Sequence, residues 1–571
     1  MQIPRPEYPN PQFQRSLWMN LNGEWDFKYD NETSGEAKGY FKPDADFDQK
    51  IIVPFCPESK LSGIGNTDFI LGVWYKKVVT LPEIFLNKRI VLNFGACDFL
   101  TKVYIDGELV GTHKGGYSSF SFDITKYITK KEFTITVYAK DDTRDYMQSG
   151  GKQSYRYESW GCFYTRTTGI WQTVWLEATP KAYIKNVKYY PNVDNCSLDI
   201  KATVCGSGKF EAVALYDNRV MGAASAVTSG GNVDIHLDLI EKHEWSVGKG
   251  ELYDLELKFC DDEVKSYFGL RTVGLEGMKF MLNGKSVFQR LVLDQGFYPD
   301  GIYTAKSEEE LVKDIQLSLD AGFNGARLHE KIFEPRFLYH CDKMGYLVWG
   351  EYPNLGLDHS KPESVFTILP EWLEEVERDF NHPAIIGWCP FNETWDKHGC
   401  KQWDDVIGMV YDCTKALDST RPCIDTSGNF HVRTDIFDVH DYEQNPAVFK
   451  ENYDKLMTDG ILYDRFEHIQ HYKGEPTFVS EYGGIKSTFS NDENSWGYGD
   501  NHPKTQAEFI ERYKGLTDAL LDNDQMLGFC YTQLYDVEQE QNGLYNYDRS
   551  LKFDDMNVFK EINSRKAAIE D

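Results

Sequence analysis

After residue 273 the chain changes rhythm, and that change constrains the fold more than any other feature. Short apolar segments then recur, each separated from the next by a stretch with helical periodicity, the signature of βαβ units. Eight can be counted: VFQRLVLDQ at 287–295, FNGARLHE at 323–330, YLVWGEY at 346–352, PAIIGWCPFNE at 383–393, CIDTSG at 423–428, DVHDYE at 438–443, PTFVSEYG at 476–483 and LGFCYTQLYD at 527–536. Between the first two, Ser307 and Glu310 form a capping box, Leu311, Ile315 and Leu319 share a helical face, and Gly322 ends the run. Similar helical patterns occupy 370–380, 401–417 and 504–521. Eight strands alternating with helices predict a (β/α)8 TIM barrel over 273–571, which places its chemistry at the C-terminal strand ends.

Upstream the period is two. In FTITVYAK, Phe133, Ile135 and Val137 alternate with Thr134 and Thr136, and Asp106-Gly107 between two alternating runs supplies the positive φ values of a tight hairpin. An all-β sandwich is expected over 1–180. A second β stretch at 181–272, with Gly-rich breaks at 206–208 and 230–231, has the size of one immunoglobulin-like sandwich.

Composition excludes several partners. With 61 basic against 90 acidic residues the net charge is −29, which repels phosphate backbones and anionic lipid. The 12 cysteines show no zinc spacing and read as small buried hydrophobes in a reducing compartment. The proline-studded N-terminus has no apolar signal core, and no run is long enough to span a bilayer, so a soluble cytoplasmic protein is expected.

Two strand tips carry the chemistry. The fourth segment ends in Asn392-Glu393-Thr394 and the seventh in Ser480-Glu481-Tyr482-Gly483. Either glutamate alone reads as half of a structural ion pair, but two at matched tips of facing strands suit retaining glycoside hydrolysis, which needs carboxyl groups about 5 Å apart. Other motifs fail. HEKIF at 329–333 puts Phe333 where a zinc protease needs its second histidine, and NGKS at 283–286 lacks a P-loop glycine because position 279 is Lys.

The segments RTTGIWQTVWLE, NGARLHE, HPAIIGWCPFNET, FVSEYGG and YTQLYDVEQEQNGLYNYDR resemble glycoside hydrolase family 2 over nearly the whole chain. The resemblance implies a sugar-binding jelly roll, an immunoglobulin-like sandwich and a catalytic barrel, in that order. It also implies Glu393 as acid/base, Glu481 as nucleophile, Asn392 on the sugar 2-hydroxyl, and Tyr442 hydrogen-bonded to the nucleophile. Glu393 should have its pKa raised by partial burial and by the charge of Glu481. His440 and Asp441 could bind hydroxyls or support Tyr442, and Trp160 is a candidate sugar platform or a core residue.

Departures from the family pattern fall on the sugar-selecting groups. Arg327 carries over, but His329-Glu330-Lys331-Ile332 replaces Ser-His-Tyr-Pro, and Leu293-Asp294-Gln295 replaces Asn-x-His. Asp294, His329 and Lys331 therefore become substrate-binding candidates. Lys331 and Arg336 could read a uronate, although a solvated helix start is the preferred reading of the pair. No Asn-x-Lys follows late in the barrel, which disfavours glucuronide. The expected activity is exo-acting, retaining hydrolysis of a β-galactoside, with β-galacturonide or another β-hexuronide, or α-L-arabinofuranoside, as runners-up. A catalytically inactive carbohydrate-binding protein is the rival class, and a scaffold built on the two sandwiches is a distant third. Carbohydrate is the expected partner, a homo-oligomer is compatible, and the mechanism demands no cofactor or metal.

Overall fold

Strands that alternate apolar and polar residues bury one face only, and so pair as sandwiches. The computed structural model describes residues 3–397, 400–489 and 495–570 and contains two such sandwiches. In the first, a six-stranded antiparallel sheet (Gln49–Val53, Gly23–Tyr29, Gly72–Thr80, Glu132–Lys140, Leu100–Ile105, Glu108–Lys114) faces a four-stranded one (Trp18–Asn20, Val174–Thr179, Arg89–Phe94, Phe120–Asp123). Phe133, Ile135 and Val137 pack into one core with Leu92, Phe94 and Leu176 of the opposite sheet. Asp106 and Gly107, at φ +47° and +87°, close the expected hairpin.

The second sandwich sets Tyr183–Asn192, Ser197–Cys205 and Gly231–Asp238 against Arg219–Thr228, Gly208–Tyr216, Leu252–Phe259 and Asp262–Gly269, around a core of Ile200, Leu237, Phe210 and Leu255. Arg15 ties the two sandwiches together. Its guanidinium donates to both carboxylate oxygens of Asp262 at 2.9 Å and to Glu177 at 3.1 Å, all three groups being buried.

The barrel strands are fully buried, as continuous apolar runs in a parallel sheet must be. Gln289–Asp294, Gly325–Leu328, Leu347–Glu351, Ile385–Cys389, Phe437–Asp441, Thr477–Gly483 and Met526–Thr532 take barrel positions one to four and six to eight. The fifth expected strand does not form. Residues 423–427 meet strand four through two isolated parallel bridges, Trp388↔Cys423 and Asn392↔Ser427. The cause is local: the Asp425 carboxylate accepts from the Val432 and Arg433 amides at 2.6 and 2.9 Å, and Ser427 Oγ donates to Asp438 at 2.6 Å. The backbone still reaches strand four, the Ile424 and Ser427 amides donating to the Trp388 and Phe391 carbonyls at 2.9 and 2.8 Å, so these side chains interrupt the strand between two contacts rather than detach it.

The helix Glu308–Asp320 starts as expected, but the capping box does not form. Ser307 gives no side-chain cap, while the Glu310 carboxylate accepts from the Lys306 amide at 2.7 Å. No described helix is long and apolar enough to cross a membrane. Loop 148–165 of the first sandwich lies over the barrel mouth, where Gln539 Nε2 donates to the Gly161 and Phe163 carbonyls at 2.8 and 3.0 Å.

Candidate active site

Just beyond strand four the chain turns through Glu393 at φ +45°, a left-handed conformation costing a β-carbon residue about 1 kcal/mol. Its surroundings impose it. The Glu393 amide donates to the Ser427 carbonyl at 3.0 Å, and Asn354 brackets Asn392 by accepting from its amide at 2.7 Å and donating to its carbonyl at 3.0 Å. Glu481 needs no such device, since it lies within strand seven and points inward. Oxygens of the two carboxylates lie within 4.8 Å of one another. Glu481 is nearly enclosed, its side chain 4% exposed, whereas Glu393 keeps 37% and opens to the mouth.

Arg327 organises the floor. One of its Nη atoms donates to Glu481 at 3.1 Å and to the Ser480 carbonyl at 2.8 Å, the other to Asn392 Oδ1 at 3.1 Å, and Nε donates to Glu351 at 2.5 Å. That leaves the Asn392 amide nitrogen without a hydrogen bond among the described residues, available to a sugar hydroxyl. His329 Nδ1 lies 3.0 Å from Glu351 and 4.0 Å from Glu481. Burial would raise the Glu351 carboxyl, but Arg327 and His329 hold it down at about 2. Tyr442 Oη donates to Glu481 at 2.6 Å, and its ring stacks on Tyr498 at 3.5 Å.

His440 stands between the carboxylates, Nδ1 at 2.7 Å from Glu393 and Nε2 at 3.5 Å from Glu481 and 3.0 Å from Ser427 Oγ. The three donors are grouped closely enough for a cation, but no single ring nitrogen faces both carboxylates. The histidine also overturns the expected raised pKa of Glu393. Burial does push that carboxyl up, but the hydrogen bond to His440, together with the charges of His440, Lys152 and Arg465, holds it well below the ordinary carboxylate range. Glu481 is lowered as well, against burial, by His440, His329 and Arg327.

Arg327, His329, Asn392, Glu393, His440, Tyr442 and Glu481 thus come together. Five other candidates do not. Lys331 Nζ donates to the Gly296 and Tyr303 carbonyls inside the barrel wall, surrounded by aromatic faces, and burial lowers it to about 7. Asp294 accepts from the Gly296 amide and Tyr535 Oη and is raised to about 6, chiefly by burial. Strand alternation throws Asp441 outward to Tyr453 Oη at 3.1 Å. Trp160 stacks on Phe163 and carries the Arg156 guanidinium 3.5 Å from its ring centroid, so intramolecular partners occupy its ring. Arg336 is likewise remote, pairing with Glu308 on the outer helices.

Sequence reasoning missed Glu351, Asn354, Tyr498 and Lys152. Glu351 obeys the strand-tip rule applied to Glu393 and was findable from VWGEY; Lys152 and Tyr498 lie on loops whose destination no local pattern encodes.

Residues 273–563 match the family model described as glycosyl hydrolases family 2, TIM barrel domain, and residues 18–180 match the family 2 sugar binding domain. A β-galactosidase from Thermoanaerobacter pseudethanolicus is 26% identical over 76% of this chain, which spans 62% of that protein's length. A β-glucuronidase from Streptococcus agalactiae is 23% identical, covering 96% of this chain and 95% of the relative. Among solved structures, a β-glucuronidase from Ruminococcus gnavus in complex with D-glucuronic acid superposes with a TM-score of 0.79 at 18% identity, covering 98% of this chain and 100% of that one.

Proposed function

The chain belongs to glycoside hydrolase family 2 and is a glycoside hydrolase, and from that premise we propose that it removes a terminal sugar with retention of configuration. The observation that carries this reading is the carboxylate separation, within 4.8 Å, with Glu481 pinned by Arg327 and Tyr442. A Glu481 oxygen attacks the anomeric carbon as the bond to the leaving group breaks, and the leaving oxygen takes a proton through Glu393. Water then attacks the glycosyl ester, giving its proton back to Glu393 and freeing Glu481. His440 Nδ1, 2.7 Å from the Glu393 carboxylate, is the neighbour that orients the group passing this proton.

The Asn392 amide faces the place of the 2-hydroxyl, and loop 148–165 over the mouth favours exo action. The sugar is a β-hexoside such as a galactoside or a β-hexuronide; an α-L-arabinofuranoside would meet the same stereochemistry. Glu481→Gln tests the mechanism, since an amide cannot form the ester. Turnover of chromogenic glycosides should fall by about 10⁴-fold or more with an unchanged circular dichroism spectrum. Unchanged activity removes Glu481 from the chemistry.

A further inference from the structure

Lys152 has no part in that mechanism, yet the fold places it with care. The barrel holds its loop rigidly: the Gly150 and Gly151 amides donate to the Leu355 carbonyl at 2.8 and 3.0 Å, and Ser149 Oγ bonds Tyr352 Oη at 2.9 Å. On the sandwich side, Gln153 Nε2 donates to Asp98 and Tyr117 at 2.8 and 2.9 Å, and the Lys152 carbonyl accepts from the Tyr164 amide at 2.7 Å.

The Lys152 residue is only 7% exposed. Its ammonium nevertheless makes no hydrogen bond and no ion pair with any described residue, and it is not sealed from solvent. Its charge bears on Glu393, Glu330, Glu540, Glu481 and His329, so it stands inside the ring of strand-tip groups without contacting one. Of the carboxylates its charge bears on, Glu481 has Arg327 and Tyr442, Glu393 has His440, Glu540 has Tyr164 and Asn542, and Glu330 accepts the Leu355 amide at one oxygen while its other, buried oxygen has no hydrogen bond among the described residues. A buried ammonium needs acceptors for three N–H groups. The surrounding carboxylates keep this ammonium charged, but none of them accepts from it, so the acceptors missing here are those a ligand brings.

We propose that Lys152 determines specificity by binding the carboxylate of a hexuronide at the barrel mouth. This rests on the retaining-hydrolase reading and supplies its substrate class. A lysine–carboxylate contact in an enclosed site is charge-assisted and discriminates strongly against the uncharged hexose.

The test compares kcat/KM on 4-nitrophenyl β-D-galacturonide, β-D-glucuronide and β-D-galactoside in wild type, Lys152→Met and Lys152→Arg. Wild type should prefer at least one uronide by tenfold or more. Lys152→Met should lower the uronide-to-galactoside ratio by about 10²-fold, and Lys152→Arg should recover most of it. A wild type that prefers galactoside, or a ratio unmoved in Lys152→Met, overturns the assignment. Competitive inhibition of wild type by free D-galacturonate, D-glucuronate and D-galactose decides the question should the variants not fold; galactose binding tightest overturns it. Galactoside turnover that depends on Glu481 without uronide preference defeats Lys152 and leaves retention standing, whereas uronide turnover surviving Glu481→Gln defeats the retaining reading.

Discussion

His440 changes what the carboxylate pair does at the residue scale. Two glutamates alone would divide their roles by mutual repulsion, one neutral and one ionised. With an imidazole bridging them, both are held low. The sign follows for pH dependence. Glu481 must be ionised to attack, and burial, which would raise its pKa, is outweighed by His440, His329 and Arg327. In His440→Gln one of these is removed, so the acidic limb of kcat/KM should move to higher pH; a full pH–rate profile checks this, and a limb that stays in place refutes it. Glu393 and Glu481 were legible because a carboxylate ending an apolar run is conspicuous. The histidine's role was not, because its neighbours VHDYE give no hint of which ring nitrogen meets which oxygen.

Loop 148–154 shows the same limit at the scale of an element. Gly151 sits at φ +54°, and a Cβ there would lie 2.6 Å from the Glu330 carbonyl, a backbone atom that cannot yield. Gly151→Ala should therefore lift the loop from strand two, raising KM and lowering the melting temperature, with backbone strain of about 1 kcal/mol added to lost contacts. Gly150→Ala is the control, because its added methyl meets nothing closer than the Leu355 carbonyl at 3.6 Å. Equal behaviour of the two variants in Michaelis kinetics and thermal melts would refute the account. Strand five marks the opposite failure: CIDTSG has the length and position of a strand, but Asp425, Thr426 and Ser427 bond to nearby backbone and polar side chains instead of extending the ladder. Strand seven keeps its parallel pairing along an apolar run even though Thr477 and Ser480 also bond to strand six.

On the scale of the whole molecule, the sandwiches act as a frame that delivers a loop to the barrel. Arg15 joins Glu177 of the first to Asp262 of the second in a buried cluster. Removing one partner from such a cluster leaves uncompensated charge and costs about 3–5 kcal/mol. Arg15→Ala should lower the first unfolding transition in calorimetry and uncouple the two sandwiches from one another; a single unshifted transition would show that the cluster does not couple them.

Periodicity and strand-tip chemistry are local properties, and they were sufficient for two sandwiches, a barrel after residue 273, and the meeting of the Glu393 and Glu481 carboxylates at its mouth. The chain by itself also shows no Asn-x-Lys late in the barrel. Only the tertiary structure brings Lys152 from a different domain into the mouth, turns Lys331 into the barrel wall, and sets His440 between the carboxylates. The physical reason is that a side chain's charge state and partners depend on what other segments pack around it, and hydrophobic patterning along the sequence specifies which faces are buried without specifying against what.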